Sequence, residues 1–159
     1  MREDDFIGQK FYWFTGEVKD IEDRKYNRVQ VFCHGYHSTD VDEKNLPWAT
    51  VMMPATVAGT AKSTANSHLE VGSWVIGFFR DGASAQDPIV IGSIPGKDLP
   101  PTASKTNKVY LSQAGHLIEI ENKEGGEKLK VTHAKGAIIE IDEDNNISIT
   151  NSGTTAITT

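Results

Sequence analysis

One cysteine, Cys33, stands in a chain of 159 residues. It has no partner for an internal disulfide and no companion thiols for a metal cluster, which fits assembly in a cytoplasm. No apolar run approaches the roughly 18 residues of a membrane helix. The opening Met1-Arg2-Glu3-Asp4-Asp5 is acidic and has no apolar stretch, so a secretory leader is not expected. Basic runs are missing too. Sixteen Lys and Arg against 22 Asp and Glu give a formal charge of -6, a poor balance for neutralising phosphates. Helical periodicity is scarce: no useful window keeps apolar residues at i, i+3, i+4 and i+7.

What is present is short alternating strands broken by Gly, Pro, Asn and Asp. Phe11 to Lys19 and Arg28 to Phe32 read as a hairpin with a long loop. Leu46 to Pro54 reads as a short strand with a proline near each end. Val71 to Phe79 is the most apolar stretch and is expected to be buried on both faces. Pro88 to Ile94 closes the block, and Ala55 to Asn66 reads as a flexible loop. Five strands without a crossover helix predict a closed antiparallel barrel of the oligonucleotide/oligosaccharide-binding (OB) type over residues 1–96. Trp13, Trp48 and Trp74 are expected in its core rather than as a base-stacking platform. A stretch with prolines at 95, 100 and 101 then predicts a linker over residues 97–108.

Residues 109–159 carry a repeat. Gly115-His116-Leu117-Ile118-Glu119-Ile120-Glu121 returns as Gly136-Ala137-Ile138-Ile139-Glu140-Ile141-Asp142. Each copy runs through turn residues into a second strand, Leu129-Lys130-Val131 or Ile147-Ser148-Ile149. Alternation puts Ile118, Ile120, Leu129, Val131, Ile139, Ile141, Ile147 and Ile149 on one face and charged or polar residues on the other. Burying these aliphatics within one chain falls short of the entropy lost in ordering the segment. Copies of the same strands, wrapped so that the apolar faces meet, would supply the missing burial. Three-fold closure is the simplest filled arrangement, so these eight residues are the expected interior of a homotrimer. The alternative is two ordinary hairpins packed on the barrel, which leaves the linker without a reason.

Catalytic signatures are missing. Ser63, Ser67 and Ser73 have no Gly-x-Ser-x-Gly elbow. There is no phosphate-cradling glycine loop, and the acidic residues form no matched acid–base pair. His34 and His37 offer two metal ligands without a third. His116 and His133 would recur about a three-fold axis and could gather an ion there, but their turn contexts point them to solvent. No catalytic, cofactor-binding or metal residue is assigned, no cofactor is expected, and the chain is not expected to be an enzyme.

The chain resembles the central spike proteins of contractile injection machines, namely phage baseplate spikes and the valine-glycine-repeat spikes of type VI secretion. The resemblance rests on Phe14-Thr15-Gly16-Glu17-Val18-Lys19-Asp20 followed by Asn27-Arg28-Val29-Gln30-Val31, with Asn27 in place of the family's usual glycine. It also rests on Leu46-Pro47-Trp48, on Gly72 to Phe79 and on Pro88 to Gly96. Asn tolerates the left-handed conformation best after Gly, so the turn survives. The resemblance implies a homotrimer with an OB barrel under a tail hub or tube protein and a C-terminal intertwined β-helix. It implies a mechanical function: plugging the tube, then piercing the target envelope in transient contact with it. It implies a place in the virion tail baseplate after assembly in the host cytoplasm. The short linker leaves no room for the lysozyme domain that some members carry. The chain stops at Ile157-Thr158-Thr159 without a His-x-His tip, so either a cut or a separate cap of the proline-alanine-alanine-arginine (PAAR) type is expected. The other readings are an OB module binding glycan or single-stranded nucleic acid, and an enzyme acting on cell-wall glycan.

Overall fold

A computed structural model describes residues 5–6, 9–10, 12–23, 26–60, 69–96 and 105–155. Residues 97–104 of the expected linker lie outside the described residues, as do Phe11, residues 61–66 of the expected loop and Ile157. The chain divides into two compact units, Met1–Asp98 and Leu99–Thr159. Among the described residues, no helix is long and apolar enough to cross a membrane.

In the first unit two minimal strands, β1 (Asp5–Phe6) and β2 (Gln9–Lys10), pair antiparallel. The barrel follows from β3 (Tyr12–Asp20), β4 (Val29–Cys33), β5 (Trp48–Val51), β6 (Trp74–Phe79) and β7 (Pro88–Ser93). They close in the order β3-β4-β5-β7-β6. The barrel is mixed, not antiparallel as the sequence suggested, because β5 and β7 run parallel, with Thr50 opposite Ile89 and Val51 opposite Val90. The reason is parity. Directions cannot alternate all the way round a ring of five strands, so closure forces a parallel pair.

β3 is the longest strand and bonds to β4 and β6. Its inward residues are Phe14, Gly16 and Val18, and its outward residues include Trp13, Thr15 and Glu17. Val18, Val31, Val75 and Val90 are fully buried and join Phe14, Val29, Cys33, Ala49 and Phe79 in one core. β-Branched side chains fill this narrow interior well. Crowding excludes a side chain at two points. A Cβ on Gly16 would lie 2.6 Å from the Phe32 carbonyl oxygen, and one on Gly77 would lie 2.0 Å from that of Ile89.

The tryptophans do not fill this core. Trp13 is 52% exposed and Trp74 40%. Each precedes an inward residue, Phe14 or Val75, and alternation therefore turns the indole outward. β6 is accordingly buried on one face only, with Val75, Gly77 and Phe79 inward. Asn27 takes φ 52°, the left-handed turn conformation. The one buried polar side chain among the described residues, Gln30, donates from Nε2 to the Leu46 carbonyl at 2.7 Å, which ties β4 to the segment entering β5.

The second unit is one antiparallel meander of five strands: β8 (Asn107–Leu111), β9 (Leu117–Glu121), β10 (Lys128–Thr132), β11 (Ile138–Ile141) and β12 (Ile147–Thr150). β8 starts at Asn107, inside the segment expected to be linker. The single chain forms an open sheet here; the intertwined β-helix expected from the sequence is an arrangement of three chains. Sharp turns reverse it. Gly115, Gly136 and Asn145 occupy the left-handed position, at φ 87°, 94° and 63°. The residue three before each supplies a side-chain acceptor. Ser112 Oγ accepts the His116 amide, His133 Nδ1 the Lys135 amide, and Asp142 Oδ1 the Asp144 and Asn146 amides. Three different residue types thus perform the same turn-closing task.

Candidate functional site, the apolar face of the C-terminal sheet

The register of the meander gathers the eight repeat aliphatics into two rows on one face. One row runs Tyr110, Ile118, Val131, Ile139, Ile149 across the five strands. The next runs Lys108, Ile120, Leu129, Ile141, Ile147. The opposite face carries Val109, Glu119, Lys130, Glu140 and Ser148 in one row and Leu111, Leu117, Thr132, Ile138 and Thr150 in another. A one-residue slip would exchange the two faces, so the hydrophobic pattern and the tight turns agree on this register.

The exposures are inverted from those of an ordinary half-buried sheet. Ile118, Leu129, Val131, Ile139, Ile147 and Ile149 are 44% to 71% exposed. The charged side chains on the other face are better covered: Glu119 is 17%, Lys130 24% and Glu140 29% exposed. Lys130 Nζ lies 3.3 Å from Glu140 Oε2, and Lys128 Nζ lies 3.8 Å from Glu119 Oε1. Asn107 Nδ2 donates to Glu119 Oε1 at 2.7 Å. The charged side chains of the polar face are therefore paired, although Asn107 Oδ1 and Thr132 Oγ1 on that face are buried without a hydrogen-bond partner, while the aliphatic face lacks a cover within the described sheet. Contiguous apolar patches of this size mark interaction surfaces on soluble domains.

The barrel holds the remaining candidates. Cys33 is fully buried, and burial pushes its thiol up to about 12, so it stays protonated and unreactive. His37 accepts the Cys33 amide at Nδ1, 3.0 Å away, and burial holds its pKa below the ordinary histidine value. Its ring meets Phe32 edge-on at 5.8 Å, and the His34 ring lies 5.2 Å from Trp74. The Nε2 atoms of both histidines are buried without a hydrogen-bond partner. An imidazole that accepts a hydrogen bond at Nδ1 carries its proton on Nε2, the reverse of what a ligand nitrogen needs. Among the described residues no group of three His, Cys, Asp or Glu side chains could hold a metal ion. Among the described residues, a groove on the barrel is lined by Glu17, Glu70 and Trp74 and by no Lys or Arg. Carboxylates beside an indole repel rather than attract a phosphate backbone.

The repeat region contains one pairing that spacing alone did not reveal. His116 and His133 sit opposite each other across β9 and β10, with ring centroids 4.5 Å apart. Extending the register one step past Leu117 and Thr132 finds this pair.

Residues 36–156 match the family described as the Gp5 N-terminal OB domain. The match begins after β4 and takes in β5, β6, β7 and the whole C-terminal sheet. No curated protein matches the chain.

Proposed function

The chain belongs to the family of the Gp5 N-terminal OB domain, the barrel domain of a phage baseplate spike protein, and from that premise we propose that it works as a homotrimeric puncturing spike. Three copies bring their apolar sheet faces together about a common axis. Ile118, Ile120, Leu129, Val131, Ile139, Ile141, Ile147 and Ile149 form the interior, and the Glu and Lys rows face water. The three sheets wind into the β-helical needle seen in valine-glycine-repeat spikes as well. Mechanically the assembly plugs the tail tube beneath a hub protein and pierces the target envelope when the sheath contracts. A PAAR-type protein caps the needle.

The observation that carries this reading is the inverted exposure: large aliphatics at 44% to 71% beside a covered, ion-paired polar face. Hydrophobic burial is roughly proportional to area removed from water, so such a sheet gains most from meeting its own kind. The same face in three copies offers a filled, channel-free interior.

Sedimentation equilibrium of the intact chain at micromolar concentration tests the assembly. The expected mass is three chains, and removal of residues 108–159 leaves a barrel that associates weakly or stays monomeric. An intact chain that sediments as a monomer overturns the proposal. The barrel groove, with its carboxylates, gives no support to a nucleic-acid module.

A further inference from the structure

We propose that His116 and His133 form an acid-sensitive clasp joining the two turns at one end of the C-terminal sheet. His116 Nδ1 accepts the Ala134 amide at 3.3 Å, and this bond crosses from the β8–β9 turn to the β10–β11 turn. His133 Nδ1 accepts the Lys135 amide at 3.1 Å and closes its own turn. The two turns approach closely, since a Cβ on Gly115 would sit 3.6 Å from that of Ala134. The ring centroids then lie 4.5 Å apart, with the planes tilted by 57°. Both bonds require an unprotonated Nδ1.

Acid acts on this arrangement in two ways. Acid adds a second proton to an imidazole. Once charged, both ring nitrogens are donors. Nδ1 then faces an amide N–H with no lone pair to offer, and both hydrogen bonds are lost. Two positive rings 4.5 Å apart also repel. The surroundings offer little relief. Ser112 and Ala137, the pair's neighbours in the same cross-strand row, are neutral, and Lys135 in the adjoining turn adds a further positive charge. Tyr110 is the neighbour in the next row on this face. Glu119 and Glu140 face the other side of the sheet, where Lys128 and Lys130 engage them.

The comparison with the other turns sharpens the inference. Asp142 closes the β11–β12 turn by accepting the amide two residues on, at 3.0 Å, as His133 does at 3.1 Å. The carboxylate keeps its acceptor through mild acid; the imidazole does not. One turn of the sheet is thus acid-sensitive where its counterpart is not. The Nδ1 acceptor bonds also turn the pair away from metal chemistry, because a metal on Nε2 would need the proton moved to Nδ1. The clasp is a property of a single sheet and does not depend on trimer formation.

Amide-exchange protection of Ala134 and Lys135, corrected for intrinsic rates, tests it in the full chain at about pH 7.5 and about pH 5. Wild type should lose about fivefold in protection at these two amides on acidification, the worth of one turn-closing side-chain bond. The double variant His116→Asn/His133→Asn places an amide oxygen where Nδ1 was, and it should change less than about twofold. A second variant, His133→Asp, copies the Asp142 turn and should hold the Lys135 amide through the same range. Unchanged wild-type protection overturns the clasp. So does an equal loss in the asparagine variant, which would place the acid response elsewhere.

Discussion

Val131 occupies the middle of the apolar face, on the central strand β10, directly opposite Ile118 on one side and Ile139 on the other. It is 44% exposed in the single chain. Replacing it with Asp separates the stability of one sheet from the stability of an assembly. In an isolated sheet the new carboxylate stays hydrated, and the cost is the lost packing of a half-buried valine, about 1 kcal/mol. In a closed trimer three carboxylates gather about the axis. Each forfeits about 1 kcal/mol of further apolar burial and incurs a desolvation penalty of several kcal/mol. The total is on the order of 10 kcal/mol per trimer, equivalent to about seven decades in the association constant. Lys130→Thr, one residue away on the opposite face, is the control. It removes the ion pair with Glu140, which is partly exposed and contributes under about 1 kcal/mol. Sedimentation equilibrium of both variants at equal concentration, with circular dichroism to confirm strand content, decides the matter. Val131→Asp should run as a folded monomer and Lys130→Thr as the wild type. If Val131→Asp keeps the wild-type mass, the apolar face is not the interior.

The other expectations concern the barrel. Gly77→Ala drives a Cβ to within 2.0 Å of the Ile89 carbonyl oxygen and 2.7 Å of the Phe14 ring, whereas a Cβ on Gly92 meets nothing within 4 Å. Gly77→Ala should therefore cost about 3 kcal/mol or more, a fall of at least roughly 10 °C in melting temperature, and Gly92→Ala under about 1 kcal/mol; equal melting curves would refute the crowding argument. The Cys33 thiol, raised to about 12 by burial, should resist iodoacetamide at about pH 8 in the native protein and react fully in guanidinium, and rapid native labelling would contradict this. His37 has its pKa lowered by burial, so the fold holds the neutral ring. Its contribution to stability is present above the ordinary histidine value of about 6.5 and is lost as pH falls below it. Urea midpoints measured on both sides of that value should fall with acid in wild type and fall less in His37→Asn, which keeps an acceptor for the Cys33 amide; parallel pH profiles for the two proteins would exclude His37 as the source.

Local periodicity made the C-terminal sheet legible. The alternation from Leu117 to Ile149 assigns each aliphatic a face, and the register places all eight together. The turns were legible as well, because Gly115 and Gly136 recur at the same point of the repeat. Long-range pairing was harder to read. β8 lies behind a proline-rich stretch, and Lys108, Tyr110 and Leu111 do not reproduce the isoleucine pattern, so only its partner β9 reveals it. The parallel contact of β5 with β7 has no local signature; the strand count requires a parallel pair somewhere in a closed ring of five but does not say which strands form it. The tryptophans misled through size. Large apolar side chains suggest a core, but a barrel of five strands has room for Val18, Val31, Val75 and Val90 and leaves Trp13 and Trp74 on its outer wall.

The two units solve the problem of burial in opposite ways. The barrel closes on itself, pairs strands at both sides and buries its valines within one chain, so its stability is intramolecular. Among the described residues, the meander has β8 and β12 at its edges and shields its charges better than its isoleucines. A sheet of that kind gains burial by meeting a second apolar surface. Its ion-paired rows make a hydrated exterior without help, and its aliphatic rows wait for matching surface. Side chains that interlock between chains tie the strength of the whole to association, and a charged outer skin limits adhesion to lipid. Under the proposed assembly, each strand from β9 to β12 contributes one aliphatic to each of two rows, so burial between copies grows with each strand added.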